Sequence, residues 1–247
     1  LAKAQGARII AVTNCVGSTI SREADDVVYT WAGPEIAVAS TKAFTAQVMC
    51  MYLLALKAAN IRWLLVGDEY EKALAELDAI PAKVEEILNS QEAIQKIASQ
   101  QFNKDKIFYI GRQFDNAICM ECALKLKEVS YMHSEAFAAG ELKHGPIALV
   151  DPSTLVVAVA TQRALFDKIK SNIVEVKSRK ATTMVITQDK TGYFADSAEY
   201  LAIPEVDDAF APILSVIPAQ LLAYYCAIYR GNDPDKPRNL AKSVTVE

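Results

Sequence analysis

The sequence predicts an α/β protein of two units, each a parallel sheet flanked by helices, with the first unit incomplete on its N-terminal side. Three observations carry this expectation. Short apolar runs alternate with longer helical patterns, as crossover-connected parallel strands require. The charged stretch 68–104 has no strand pattern and reads as a helical connection. The chain also repeats itself at a shift of 174 residues.

Taken in order, the first strands are expected at 7–13 and 26–30. A Gly33-Pro34 turn then opens a helix over 36–59, with Glu35 favoured at its first turn by the helix dipole. Helices at 70–77 and 81–99 fill the connection. The second unit follows with strands at 106–112, 154–161, 182–187 and 199–203 and helices at 117–134, 164–177 and 211–229. The strands are short and apolar, as in sheets covered on both faces. Gly231, Pro234 and Pro237 end the last helix, and the mostly polar tail reads by itself as a frayed terminus. The boundaries are therefore 1–66, 67–104, 105–230 and a tail at 231–247.

The repeat is legible residue by residue. Leu1–Thr13 lies over Glu175–Thr187, so that Lys3 meets Lys177, Ala7 meets Ala181 and Thr13 meets Thr187. The segment from Ala24 then lies over the one from Ala198, and Gln47 meets Gln220, each in a long apolar helix. Two copies of one unit explain this order. Copy two carries residues 106–174 ahead of the aligned part, and copy one has no counterpart. The expectation is a fragment whose first unit is cut in half.

Composition narrows the function classes. At 247 residues and 52% apolar, the chain can bury a substantial core. A net charge of −4 with interspersed signs argues against nucleic acid and against a polybasic membrane anchor. The longest apolar region, 48–59, is interrupted by Lys57 and reads as too short to span a bilayer. Five scattered cysteines suit a reducing cytosol, and the Cys119–Cys122 pair, inside a helix with no second pair, argues against metal.

The richest stretch runs from Glu121 to Pro146. On a wheel of about 100° per residue, Ile118, Cys122, Leu126 and Val129 form one apolar arc and Met120, Leu124 and Tyr131 another. Glu121, Lys125 and Glu128 fall between them, while Lys127 and Ser134 fall opposite. This edge is either a partly exposed salt-bridge ladder, each pair contributing about 0.2–0.5 kcal/mol, or a carboxylate and an ammonium held in a cleft for proton transfer and anion binding. Beyond it, Gly140 to Pro146 reads as a presentation loop for His144, the side chain there best suited to exchanging protons. His133, near an apolar arc, reads as structural.

Several of these segments are familiar as wording. LKLKE, SEAFAAGELKHGP, the terminal RNLAKSVTVE and PEIAVASTKAFTAQ (34–47) resemble the isomerase half of the glutamine–fructose-6-phosphate aminotransferase family, the glucosamine-6-phosphate synthases. The resemblance runs over the whole chain. Two departures are Cys122, where the family usually has a smaller residue, and Gly111-Arg112-Gln113 in place of GRG.

The resemblance implies two sugar-isomerase (SIS) units acting on fructose-6-phosphate, ammonia and glucosamine-6-phosphate. It implies His144 for ring opening, Glu128 for moving the proton between C1 and C2, Lys242 for an imine with the ketose and Lys125 for steadying oxyanion charge. Glu35, Val38, Ala39 and Ala241 would lie near the sugar. It implies no metal or organic cofactor, a cytoplasmic homodimer, and a His144 loop reaching into the neighbouring subunit's site. The phosphate-cradling Ser/Thr-rich loop and a glutaminase domain would precede this chain. Two alternatives stay open: a fructosamine-phosphate deglycase, against which the tail argues, and a non-catalytic sugar-phosphate-binding module, which would not need Glu128, His144 and Lys242 together.

Overall fold

The computed structural model describes residues 1–243; the end of the tail, 244–247, lies outside the described residues. Two compact units divide the chain, Leu1–Leu77 and Asp78–Glu247.

In the first unit, β1 (Ile10–Thr13) pairs in parallel with β2 (Asp26–Tyr29), joined through a short helix, α1 (Thr19–Glu23). Ser18 caps α1 by accepting from the Ser21 N–H, a five-residue turn with no periodicity to betray it in the sequence. Helix α2 spans Lys42–Ile61, not 36–59. The residues before it are held off the helix by their own side chains: Glu35 Oε1 accepts from Ser40 Oγ at 3.1 Å and from the Thr41 N–H at 3.3 Å, and Lys42 Nζ donates to the Pro34 carbonyl at 2.7 Å. Side-chain bonds of this kind compete with helix formation and favour its border. Glu35 therefore acts from ahead of the helix rather than from its first turn. As a helix, α2 is long enough and apolar enough to cross a membrane, which corrects the reading from 48–59 alone. Only 6% of its apolar stretch is buried.

In the connection, α3 (Asp68–Asp78) is followed by α4 (Ile80–Asn89) and α5 (Glu92–Gln101). The single helix expected over 81–99 is broken at Ser90, whose hydroxyl donates to the Glu86 carbonyl at 2.9 Å and whose backbone leaves helical geometry. Helices α4 and α5 both pack on α8 (Ala211–Tyr229).

The second unit holds a five-stranded parallel sheet in the order β4-β3-β5-β6-β7. Its strands are β3 (Lys106–Gly111), β4 (Ser134–Ala138), β5 (Thr154–Ala160), β6 (Thr182–Thr187) and β7 (Glu199–Ala202). Strand β5 is buried along its whole length, and β3 and β6 at all but the first residue, because helices cover both faces. Phe108, Ile110, Val156, Ala158 and Val185 meet Ile169, Ile173 and Val176 of α7 (Phe166–Lys177). On the opposite face, helix α6 (Phe114–Ser130) packs along α8. Each such fully buried aliphatic side chain contributes about 1.5–3 kcal/mol. The apolar stretch of α8 is 72% buried, which makes it a core helix.

Strand β4 overturns two expectations. Helix α6 stops at Ser130, four residues early, on Tyr131 in the left-handed region at φ 58. His133 and Ser134 are therefore not helical, and His133 is exposed, 3.5 Å from Glu135, rather than core. Ser-Glu-Ala-Phe-Ala has little strand propensity of its own. It is extended because it pairs with β3, Ile107 beside Ser134 through Gly111 beside Ala138.

Candidate functional site

Strand β3 ends on Gly111, where only glycine fits: a Cβ would lie 2.5 Å from the Asp115 carbonyl carbon. Gln113 follows at φ 50, a backbone geometry that glycine adopts more readily. This tight turn launches α6 and buries Asp115, which accepts from the Thr161 hydroxyl and N–H at 2.5 and 2.9 Å. Burial pushes the Asp115 carboxyl up to about 6, although the Thr161 hydrogen bonds pull it down. The sequence offered no periodic signal for this tie between α6 and the end of β5.

Three turns of α6 then present Glu121, Lys125 and Glu128. Lys125 is 4% exposed. Its Nζ stands 2.6 Å from Glu128 Oε2 and 3.5 Å from Glu121 Oε1. Glu128 Oε2 is itself buried and takes no aligned hydrogen bond among the described residues, so the ammonium is its partner through charge. Burial pushes the Glu121 carboxyl up, with Lys125 opposing. This is the walled arrangement rather than the exposed ladder. One arc of the wheel, Ile118, Cys122, Leu126 and Val129, is buried; of the other, Met120 and Leu124 are exposed. Cys119 and Cys122 are buried free thiols, both pushed up by burial. Among the described residues, no group of three or more His, Cys, Asp or Glu is placed to hold a metal ion.

The loop after β4 is anchored by Leu142, which is fully buried, within a short 3-10 turn of Leu142–His144. Gly145 at φ 156 and Pro146 turn the chain out again. His144 is exposed, and its ring has no hydrogen bond or ion pair among the described residues. The tail is fastened rather than frayed at its start. Asn232 Nδ2 donates to the Ser130 carbonyl at 3.2 Å, the Arg238 N–H donates to Tyr131 Oη at 2.7 Å, and the Arg238 guanidinium lies 4.2 Å over the Tyr131 ring. Ala241 and Lys242 are exposed beyond that anchor. In the first unit, Glu35 and Val38 are half-buried and Ala39 is buried, in the loop ahead of α2. So the structure joins Lys125 to Glu128 and sets His144 and Lys242 on separate exposed segments of the same unit.

The SIS domain description matches residues 1–57 and 102–230. The chain belongs to the SIS domain family. Within it, the chain is 53% identical over all its 247 residues to glutamine--fructose-6-phosphate aminotransferase [isomerizing] of Clostridium tetani, of whose length it spans 41%. Among solved structures, the C-terminal domain of glucosamine-fructose-6-phosphate aminotransferase from Francisella tularensis superposes with a TM-score of 0.87 at 38% identity. That match covers 92% of this chain and 64% of the other. A glucosamine-6-phosphate deaminase from Thermotoga maritima gives 0.76 at 29% identity, covering 96% and 66%. The SIS fold agrees with the parallel sheet between helices seen here.

Proposed function

We propose that this chain is the isomerase portion of a glutamine–fructose-6-phosphate aminotransferase, converting fructose-6-phosphate and ammonia to glucosamine-6-phosphate. The observation that carries the reading is the buried Lys125 ammonium against Glu128 on α6, within a chain half-identical to such enzymes along its full length. The chemistry requires ring opening, an imine at C2, and a proton moved from C1 to C2. Glu128 is the carboxylate for that proton, since proton transfer needs a base at hydrogen-bond reach of carbon-bound hydrogen. Lys125, set between the carboxylates of Glu121 and Glu128, steadies the oxygen as negative charge develops. His144 shuttles the hydroxyl proton in ring opening. Lys242 holds the ketose as an imine, with Ala241 beside it and Glu35, Val38 and Ala39 lining the sugar. No metal or organic cofactor enters.

The working assembly in this reading is a cytoplasmic homodimer in which His144 serves the neighbouring subunit. The exposure of His144 on a stiffened loop supports it. The 247 residues alone turn over little, because they span 41% of the relative's length and leave α2 bare.

The test uses a protein of the relatives' length that contains this chain. Glu128→Gln keeps size and loses basicity, so it should retain sugar-phosphate binding and lose isomerisation. Turnover within about threefold of the parent, under roughly 0.7 kcal/mol of barrier, makes Glu128 structural and ends the proposal. The dimer reading is checked by mixing His144→Ala with Glu128→Gln protein, each inactive alone. Subunit exchange should restore part of the activity by gathering both lesions in one site. Silence despite demonstrated heterodimers places His144 in its own chain's site or in none.

A further inference from the structure

The strand order β4-β3-β5 places a reversal of the chain's course at β3, and open α/β sheets bind ligands in the crevice at the carboxyl ends of such strands. Arg112 is the first residue past that end. A cavity of about 530 Å3 opens there, lined by Arg112, Gly140, Lys143, Lys168, Ser171 and Asn172. That is the size of a small-ligand site.

Arg112 is half-buried and held in place. Its Nη2 donates to Asn172 Oδ1 of α7 at 2.8 Å. At Gly140 a side chain would stand 3.5 Å from both Nη1 and Nη2, so the glycine leaves that side of the guanidinium uncovered. Its Nε is buried without an acceptor, so the group holds donors that the fold does not satisfy. Lys143 and Lys168 form no ion pair among the described residues. Two carboxylates also line the cavity, Asp167 and Glu175. Asp167 already accepts a hydrogen bond from the Tyr193 hydroxyl. Three cations thus face two anions, and the rigid cation is a guanidinium.

We propose that this cavity binds a phosphate group, with Arg112 supplying the planar fork and Lys143 and Lys168 supplying mobile charge. None of these residues belongs to the proposed isomerase machinery, so the site stands or falls apart from that reading. Because Lys143 precedes His144, an occupant ties the His144 loop to α7.

The experiment titrates inorganic phosphate into the 247-residue chain by calorimetry, with chloride at matched ionic strength as control. It is repeated on Lys143→Gln/Lys168→Gln, two exposed positions whose loss spares the fold, and on Arg112→Lys. Phosphate should bind where chloride does not, and the double variant should weaken it fivefold or more. Glucose-6-phosphate in a parallel arm, binding more tightly than inorganic phosphate and weakened likewise, assigns the site to a phosphate ester; equal binding assigns it to free phosphate. Phosphate no better than chloride, or a double variant within fivefold of the parent, overturns the proposal.

Discussion

At the scale of single residues, Asp115 is a buried carboxyl whose titration couples to folding. Its folded value of about 6 lies above the ordinary 3.8, because burial disfavours the charge. Between those values the folded chain binds more protons than the unfolded one, so this contribution to stability is full below pH ~4 and is lost as pH rises through ~6. At about 1.4 kcal/mol per unit, the loss is on the order of 2–3 kcal/mol. Asp115→Asn keeps the shape and removes the titration. Urea midpoints of the two proteins should diverge in favour of the parent on going from pH 7.5 to 4.5; parallel midpoints would clear Asp115. The sequence was unequally open at this scale. Lys125 and Glu128 were legible because a helix fixes their spacing to one edge. Asp115 was not, because its partner Thr161 is 46 residues away and only the sheet brings it near. The Gly111-Arg112-Gln113 departure also acquires a meaning: the backbone at Gln113 sits at φ 50, the conformation a glycine there would adopt without strain.

Among elements, the long helices α6, α7 and α8 and the buried strands could be read from periodicity, since burial writes the pattern. Strand β4 could not, because its pairing with β3 overrides its own propensity. The same applies to the break between α4 and α5, which a serine hydroxyl marks and no Gly or Pro announces. The tail is the element whose behaviour changes most with one contact. Tyr131 sits at the end of α6 and holds Arg238 through its hydroxyl and its ring face. A cation over an aromatic face contributes about 0.5–1 kcal/mol at an exposed site. Tyr131→Ala should therefore free the segment, and limited trypsin digestion should cut after Arg238 severalfold faster. An unchanged cutting rate would mean that Tyr131 does not hold the tail.

For the whole molecule, the two units differ in how much they enclose. The first has a two-stranded sheet and a nearly bare α2; the second has five strands between helices. Two strands alone are marginal in water, and regions with few buried contacts open first. Amide hydrogen exchange should run at least tenfold faster in β1, β2 and α2 than in β5, β6 and α8. Equal protection would show the first unit to be as firmly closed as the second. The repeat read in the sequence recurs in the strand pairing: β1 with β2 and β6 with β7 are parallel, with Thr13 beside Tyr29 and Thr187 beside Ala202. One detail differs. The connection between the strands is residues 14–25 in the first copy and 188–198 in the second, so the first is longer by one residue. An ancestral duplication followed by drift leaves such a mark, the indel landing in the connection while the strands keep their partners. That link is then a place where this fold accommodates a change of length, and where a designer grafting a tag or a sensor has a natural precedent to follow.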